Sequence, residues 1–365
     1  MIIGVPTEIK DDEYRVGMTP VGVELLTGAG HRVIVQRGAG AGSGITDRDY
    51  SKHGAEIVPG ANQVWASAEM IVKVKEPQAA EIDQIINGQI VFTYFHLAAS
   101  RELTERLLAT GGTCVAYETV EDAAGRLPLL EPMSEIAGKM SVQEAVKYLG
   151  KPMGGRGVLL GGVPGIAPGH VMIIGGGTVG SMAARTAAGL GASVVVMDID
   201  LYRLRYLADV MPPNVSLLHS NPHTIRQHLA IADAVIGAVL ITGARAPRLV
   251  RREDLKTMKP GAVIIDVAVD QGGCVETIRP TTHHDPVYTV DEILHYGVAN
   301  MPGAVSRSST FALVNATLPY VMKLAAKGLD GAAKADPGLA LGVNIRDGKL
   351  LCRAVAEAFD MLVAD

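Results

Sequence analysis

The chain has little that would suit it to an oxidising compartment or a membrane. Its three cysteines, Cys114, Cys274 and Cys352, are odd in number and far apart. They make no disulfide framework and no CxxC site. The "THHD" cluster (282–285) reads as a solvated loop, so no metal site is expected. No apolar run approaches the roughly 20 residues that span a bilayer, and "MIIGVPTEIK" lacks the basic start and long apolar region of a secretion signal. The expectation is a cytoplasmic protein with no membrane partner. A strong charge imbalance is absent too: 33 basic against 38 acidic residues leave a net charge of −5, which argues against a nucleic-acid surface. Aromatics are only 4%, whereas hydrophobic residues reach 48% and glycines number 42. An aliphatic core with tight turns follows, as in α/β proteins whose parallel strands are rich in Val and Ile.

Length allows two domains of ordinary size. In residues 1–120, "MIIGV", "HRVIVQ", "MIVKVK", "QIVFTYF" and "TCVAYETV" read as strands. Between them, "TPVGVELLTGAG" and "SRELTERLLATGG" read as helices that stop at glycine. Such alternation implies a parallel sheet. A helix with Ser134 as N-cap is expected to end at Gly150, followed by a glycine-rich connector over 154–169. Alternation then restarts with "VMIIGGG", "SVVVMDID", "NVSLLHS", "ADAVIGAV" and "GAVIIDVAVDQGG". Helices are expected over 306–328 and 351–362. So short a C-terminal region, holding mainly helix, cannot form a large core alone and is expected to return to the first domain. The fold class expected is α/β with two Rossmann-like parallel sheets. A discontinuous first domain (1–128 and 306–365) would carry a second (129–305) as an insertion.

The most specific local motif is "HVMIIGGGTVGSMAARTAAGLGASVVVMDID". A strand leads into Gly175-x-Gly177-x-x-Gly180, then a helix, then a second strand ending in Asp198. The first glycine permits the tight turn, the second lets a pyrophosphate approach the backbone, and the third lets helix pack on strand. The helix N-terminus offers unpaired N–H groups to phosphate. Asp198 stands where a carboxylate accepts from adenosine ribose hydroxyls and repels a 2′-phosphate, which favours NAD over NADP. Arg203 lies close enough to weaken that preference. The segment "RGAGAGSGITD" (37–47) is richer in glycine but lacks the spacing, and reads as a mobile surface loop. "GGRGVLLGG" lacks the Gly-Lys-Ser/Thr of a P-loop.

Ligands of open parallel sheets bind outside the carboxyl ends of the strands, and four polar residues stand at such ends. Arg15 follows the first strand, Lys75 closes "IVKVK", His96 follows "VFTYF", and Asp270 closes "IIDVAVD". Arginine and lysine hold carboxylates and polarise carbonyls, while histidine and aspartate move protons near neutral pH. Each also has a plainer reading: Arg15 as a solvated loop charge, Lys75 as a strand-edge charge, His96 as a hydrogen-bonded core histidine. Asp270 is the most suggestive, because "DQGG" leaves strand geometry at once. Asp266, inside the run, reads as a structural carboxylate bonded to backbone N–H groups.

Taken together, "GVPTEIKDDEYRVGMTP", "VKVKEP", "FTYFHLAAS", "EPMSEIAGKMSVQEA", the fingerprint, "DVAVDQGGCVE" and "VANMPGAVSRSSTFALVNATLPY" resemble the bacterial L-alanine dehydrogenase family along essentially the whole chain. The resemblance implies NAD-dependent oxidative deamination of L-alanine to pyruvate and ammonia, and a homohexamer. It assigns Arg15 and Lys75 to the substrate and His96 and Asp270 to proton transfer. It places Ser134, Thr178, Val179, Asp198, Arg203, Ser220, Val239, Leu240, Val267, Arg279, Val298, Asn300 and Met301 at the cofactor, with Asp270 beside them. Two alternatives stay open. One is the NAD(H)-binding component of proton-translocating transhydrogenase, which resembles the chain poorly at "FHLAAS". The other is an amino-acid dehydrogenase of the lysine-forming type.

Overall fold

A computed structural model describes residues 1–239, 246–269 and 272–364. The chain divides into two compact units, residues 1–133 with 303–365 and residues 134–302. In sequence, the second is inserted into the first.

The first unit opens with six strands: β1 (Ile2–Val5), β2 (Arg32–Gln36), β3 (Glu56–Val58), β4 (Met70–Val72), β5 (Ile90–Thr93) and β6 (Thr113–Ala116). The second holds β7 (His170–Ile174), β8 (Ser193–Asp198), β9 (Val215–His219), β10 (Ala234–Gly237), β11 (Val263–Asp266), β12 (Val287–Val290) and β13 (Ile293–Tyr296). The chain then returns to the first unit with β14 (Val343–Arg346) and β15 (Lys349–Leu350).

The first sheet runs β15-β14-β6-β5-β4-β1-β2-β3 and the second β12-β13-β11-β10-β7-β8-β9. Each contains the doubly wound order in which the first strand lies between the second and the fourth. Pairing is parallel within both cores, and antiparallel only at the β14–β15 and β12–β13 edges and where β14 meets β6. Because β1 has β2 on one side and β4 on the other, the loops after β1 and β4 leave toward opposite faces. A ligand crevice opens between such loops. The same holds for β7 between β8 and β10.

Local sequence accounts for most boundaries. Thr19 accepts the Gly22 N–H and Pro20 opens the helix Pro20–Gly28, where proline's missing N–H costs no hydrogen bond. Ser100 caps Arg101–Thr110, and Gly111 closes it with a left-handed φ of 70°. The α/β reading with two Rossmann-like sheets therefore holds.

Several expectations need correction. The helix expected from Ser134 begins at Glu131, because Pro132 fits a first helical turn; Ser134 lies inside it. Strand "TCVAYETV" stops at Ala116, where a 3₁₀ turn, Tyr117–Thr119, takes over. Strand β4 stops at Val72, so Lys75 sits in the loop beyond it. The C-terminal region supplies two strands as well as helix. Its long helix, Ser306–Ala335, is broken at Gly328, whose φ of 65° and ψ of 176° are not helical. The glycine-rich 37–47 segment is no free surface excursion. Ser43 is buried and hydrogen-bonds the Thr310 hydroxyl at 2.8 Å, and the Arg307 guanidinium donates to the Ser43 and Gly44 carbonyls. A Cβ on Gly42 would meet the Tyr14 carbonyl oxygen at 2.7 Å. Arg307 and Thr310 lie at the other end of the chain, and local composition carries no sign of them.

Candidate functional site

In the first unit, three of the expected residues follow β1, β4 and β5, and Arg15 and Lys75 come within electrostatic reach of each other. The Arg15 side chain is 3% exposed. Its Nε donates to Glu13 Oε1 at 2.6 Å and its Nη2 to Glu13 Oε2 at 2.5 Å, while Nη1 meets the Met133 sulfur at 3.0 Å. One edge of the guanidinium fork is thus held by the protein itself. Lys75 is buried, and its carbonyl accepts the Thr93 hydroxyl at 2.9 Å. Burial, and then the nearby Arg15 and Lys10 charges, hold its ammonium below the usual lysine range. Such a concentration of positive charge suits an anion.

His96 is exposed, with a left-handed φ of 51°. A non-glycine residue holds that conformation only when its surroundings impose it. Here the Glu118 carboxylate does so, accepting the His96 N–H at 2.5 Å and the Phe95 N–H at 3.1 Å. The imidazole lies parallel to the Tyr94 ring, with centroids 5.9 Å apart. Glu13, Tyr94 and Glu118 hold the candidate residues Arg15 and His96, and sequence reasoning missed them. Glu13 sits two residues from Arg15 and had a local signal. Glu118, 22 residues beyond His96, had none.

In the second unit the expected residues line the carboxyl edge of the sheet. Gly175 has φ 102°, and a Cβ there would lie 2.5 Å from the Ala238 carbonyl oxygen. A Cβ on Gly180 would fall 1.8 Å from the Gly175 oxygen, so the turn excludes a side chain at both positions. At Gly177 a Cβ would meet nothing within 4 Å. Gly177 caps the helix Thr178–Gly189 without a side-chain hydrogen bond, so Thr178 and Val179 begin a helix whose N–H groups border open space. The exclusion of side chains at the turn and the space beside Gly177 together fit a dinucleotide pyrophosphate.

Asp198 ends β8, its Oδ2 accepting the Gly176 N–H at 2.6 Å and its Oδ1 the Asp200 N–H at 2.9 Å. Arg203 Nε donates to the Gly176 carbonyl at 2.6 Å. Ser220 follows β9 and gives its N–H to the Asp198 carbonyl. Val239 follows β10, and Val267 follows β11 with its N–H on the Gly237 carbonyl. Val298, Asn300 and Met301 follow β13. Arg279 comes alongside them because Thr281 pairs with Val298 and a Cβ on Gly297 would touch the Arg279 carbonyl. Ser134 precedes Gly138 by one helical turn, and a Cβ on Gly138 would lie 2.3 Å from the Val179 carbonyl oxygen. Leu240 and Asp270 lie outside the described residues. His219 and His223, four apart, straddle a strand end and a helix start, and no three potential metal ligands cluster among the described residues.

Asp266 is the structural carboxylate expected. It is 1% exposed and accepts the N–H groups of Ala268 (3.0 Å), Cys274 (2.7 Å) and Val275 (3.1 Å). Burial raises its pKa above the usual carboxylate value, against the pull of those donors. The described residues Ala268, Cys274 and Val275 are thereby tied to one side chain. Asp266→Asn places an NH₂ group against N–H donors. Leaving buried donors unsatisfied costs about 1–3 kcal/mol, so the variant should show a lower denaturant midpoint in an equilibrium unfolding curve. An unchanged midpoint would remove the structural role.

Two family descriptions cover most of the chain: "Alanine dehydrogenase/PNT, N-terminal domain" over residues 4–137 and "Alanine dehydrogenase/PNT, C-terminal domain" over residues 141–353. An alanine dehydrogenase of Mycolicibacterium smegmatis is 53% identical over 365 residues, covering 100% of this chain and 98% of that protein. A solved L-alanine dehydrogenase structure, also 53% identical, superposes with a TM-score of 0.96 over 99% of both chains. A transhydrogenase structure from Sinorhizobium meliloti is 26% identical and superposes at 0.84 over 96% of this chain. The chain belongs to the alanine dehydrogenase/PNT family.

Proposed function

We propose that the protein catalyses the reversible, NAD-dependent oxidative deamination of L-alanine to pyruvate and ammonia. The observation that carries this reading is 53% identity to an alanine dehydrogenase over the full length of the chain. The first unit is assigned to the substrate and the second to NAD. Bound NAD supplies the hydride acceptor.

Arg15, steadied by Glu13, and Lys75 bind the substrate carboxylate and orient Cα–H for transfer, which turns an encounter into an oriented reaction. Loss of hydride from Cα leaves iminopyruvate. Asp270 takes a proton from water as its oxygen adds to the imine carbon. His96 manages the proton on that oxygen, and the carbinolamine collapses to pyruvate and ammonia. Overall, alanine, NAD⁺ and water give pyruvate, ammonium, NADH and one proton. In the reverse direction Lys75 polarises the pyruvate carbonyl. A hexameric assembly is the expectation from the family resemblance. No helix among the described residues is long and apolar enough to cross a membrane. Among them no disulfide forms, and Cys114 and Cys274 are buried free thiols, which supports a cytoplasmic setting.

The test is NADH formation with each of the common L-amino acids. Alanine should give the highest kcat/KM. If no amino acid is oxidised and hydride instead passes between two nucleotides in the presence of a membrane partner, the transhydrogenase-type reading replaces this one. Cofactor choice gives a second check. Asp198→Ser removes the charge that repels a 2′-phosphate, with Arg203 close by. The ratio of kcat/KM for NADP to that for NAD should rise roughly tenfold or more, equivalent to about 1.4 kcal/mol. Equal use of both cofactors by the unaltered protein would end the specificity role of Asp198.

A further inference from the structure

Aromatic residues make up 4% of the chain, yet three of them stack in series against His96. Phe92 on β5 meets Tyr117 edge to face, with centroids 4.4 Å apart at 88°. Tyr117 meets Tyr94 in the same way at 5.0 Å and 83°. Tyr94 then lies parallel to the His96 imidazole at 5.9 Å and 8°. Phe92 and Tyr117 are fully buried and Tyr94 is 2% exposed, so the series runs from the sheet core to an exposed imidazole.

Both tyrosines are also fixed at their far ends. The Tyr117 hydroxyl donates to the Lys73 carbonyl at 2.9 Å, and the Tyr94 hydroxyl donates to the Leu129 carbonyl. A ring packed on its faces and tethered at its hydroxyl has neither χ angle free. The separations lie within the range in which aromatic pairs attract.

We propose that Tyr94 is a positioning residue for His96: its ring sets the plane of the imidazole that moves the proton. The inference rests on His96 having the proton-transfer role given above. Glu118, by gripping the Phe95 and His96 N–H groups, fixes where the His96 side chain departs from the backbone. Rotation about the His96 χ angles is a separate freedom, and the parallel Tyr94 ring, 5.9 Å away at 8°, restricts it. An imidazole that must meet one oxygen gains from both restraints, because a displacement of about 1 Å costs on the order of 10²-fold in rate.

The experiment is steady-state alanine oxidation by the full chain and by Tyr94→Phe, Tyr94→Leu, His96→Gln and the Tyr94→Leu/His96→Gln double variant. Thermal midpoints and NAD affinity serve as checks on folding. Tyr94→Phe keeps the ring and should lose no more than about threefold in kcat, whereas Tyr94→Leu should lose about 10–100-fold. NAD affinity should be nearly constant, and the KM for alanine should move far less than kcat. In the absence of His96, Tyr94→Leu should cost less than about twofold more, since residues acting as a unit are not additive. Equal losses with and without His96, or an unchanged kcat in Tyr94→Leu, overturn the proposal. If Tyr94→Leu does not fold, Tyr94→Met, which has no ring but fills more of the space, takes its place with the same expected outcomes. An unaltered protein that oxidises no alanine overturns the functional reading and this inference with it. Activity in the unaltered protein with additive losses overturns this inference alone.

Discussion

Asp270→Asn should lower kcat for alanine oxidation by about 10²–10⁴-fold, the usual worth of one general base, while NAD affinity stays nearly constant. The amide keeps the shape of the carboxylate and part of its hydrogen bonding but takes no proton from water. Among the described residues before and after it in sequence, Ala268, Cys274 and Val275 are tied to the buried Asp266 carboxylate. Asp266→Asn provides the contrast, because it should lose stability first and activity only through it. Two measurements separate the cases: kcat under saturating substrates and the unfolding midpoint of each variant. Near-normal turnover in Asp270→Asn, or a loss that tracks unfolding, would remove Asp270 as the water-activating base.

Lys73→Met should destabilise the first unit strongly. Lys73 is fully buried, and its ammonium meets Glu8 Oε2 at 3.1 Å and Glu81 Oε1 at 2.6 Å. Glu8 Oε1 also accepts the Val74 N–H at 2.7 Å, and Glu81 Oε2 accepts the Gln78 N–H at 2.8 Å. The three side chains fasten the loop after β1 to the loop after β4, the two loops that carry Arg15 and Lys75. Removing the cation leaves two buried carboxylates facing each other. Breaking a buried pair costs about 3–5 kcal/mol, which for a unit of this size is a Tm loss on the order of 10 °C.

The pH dependence has a definite sign. Burial already raises the Glu8 pKa above its ordinary 4.5, although Lys73 pulls it down. A carboxyl whose folded pKa is raised contributes stability that is fully present below the unfolded value and is lost as pH rises through the folded one. Without Lys73 the Glu8 carboxyl protonates more readily, so the deficit relative to the unaltered protein should shrink as pH falls from about 7 toward 5. Adding Glu8→Gln and Glu81→Gln should recover much of the loss. A calorimetric Tm within about 2 °C of the unaltered protein would show that the triad is not what fastens these loops.

Features that depend on neighbours close along the chain are legible in the amino-acid order. Gly175, Gly177 and Gly180 are legible because a strand-turn-helix needs small residues at fixed offsets. Asp198 is legible because it ends the next strand. The alternation of short Val/Ile runs with glycine-ended helices specified two parallel α/β sheets, since strands buried on both faces read as continuous apolar runs. Asp266 was readable as structural because a lone carboxylate inside such a run must find donors, and the nearest are the N–H groups of the turn that follows.

How the polar residues at the strand ends are held is set by contacts between distant parts of the chain. Arg15, Lys75 and His96 were each open to a plainer reading, because a charge after a strand has the same sequence signature whether it is solvated or assembled. Pairing of β1 with β4 rather than β3 brings the loops of Arg15 and Lys75 to either side of one strand junction. Glu118 reaches the His96 backbone from the end of β6, and Tyr117 reaches Tyr94 from the same turn, a turn that the apolar pattern alone presents as continuous strand. The glycine-rich segment at 37–47 looked mobile for the same reason: its partners, Ser306, Arg307 and Thr310, lie on a helix near the far end of the chain. Hydrophobic periodicity reports which face of an element is buried. Which element buries it, and which buried charge meets which, is set by contacts between residues far apart in the sequence.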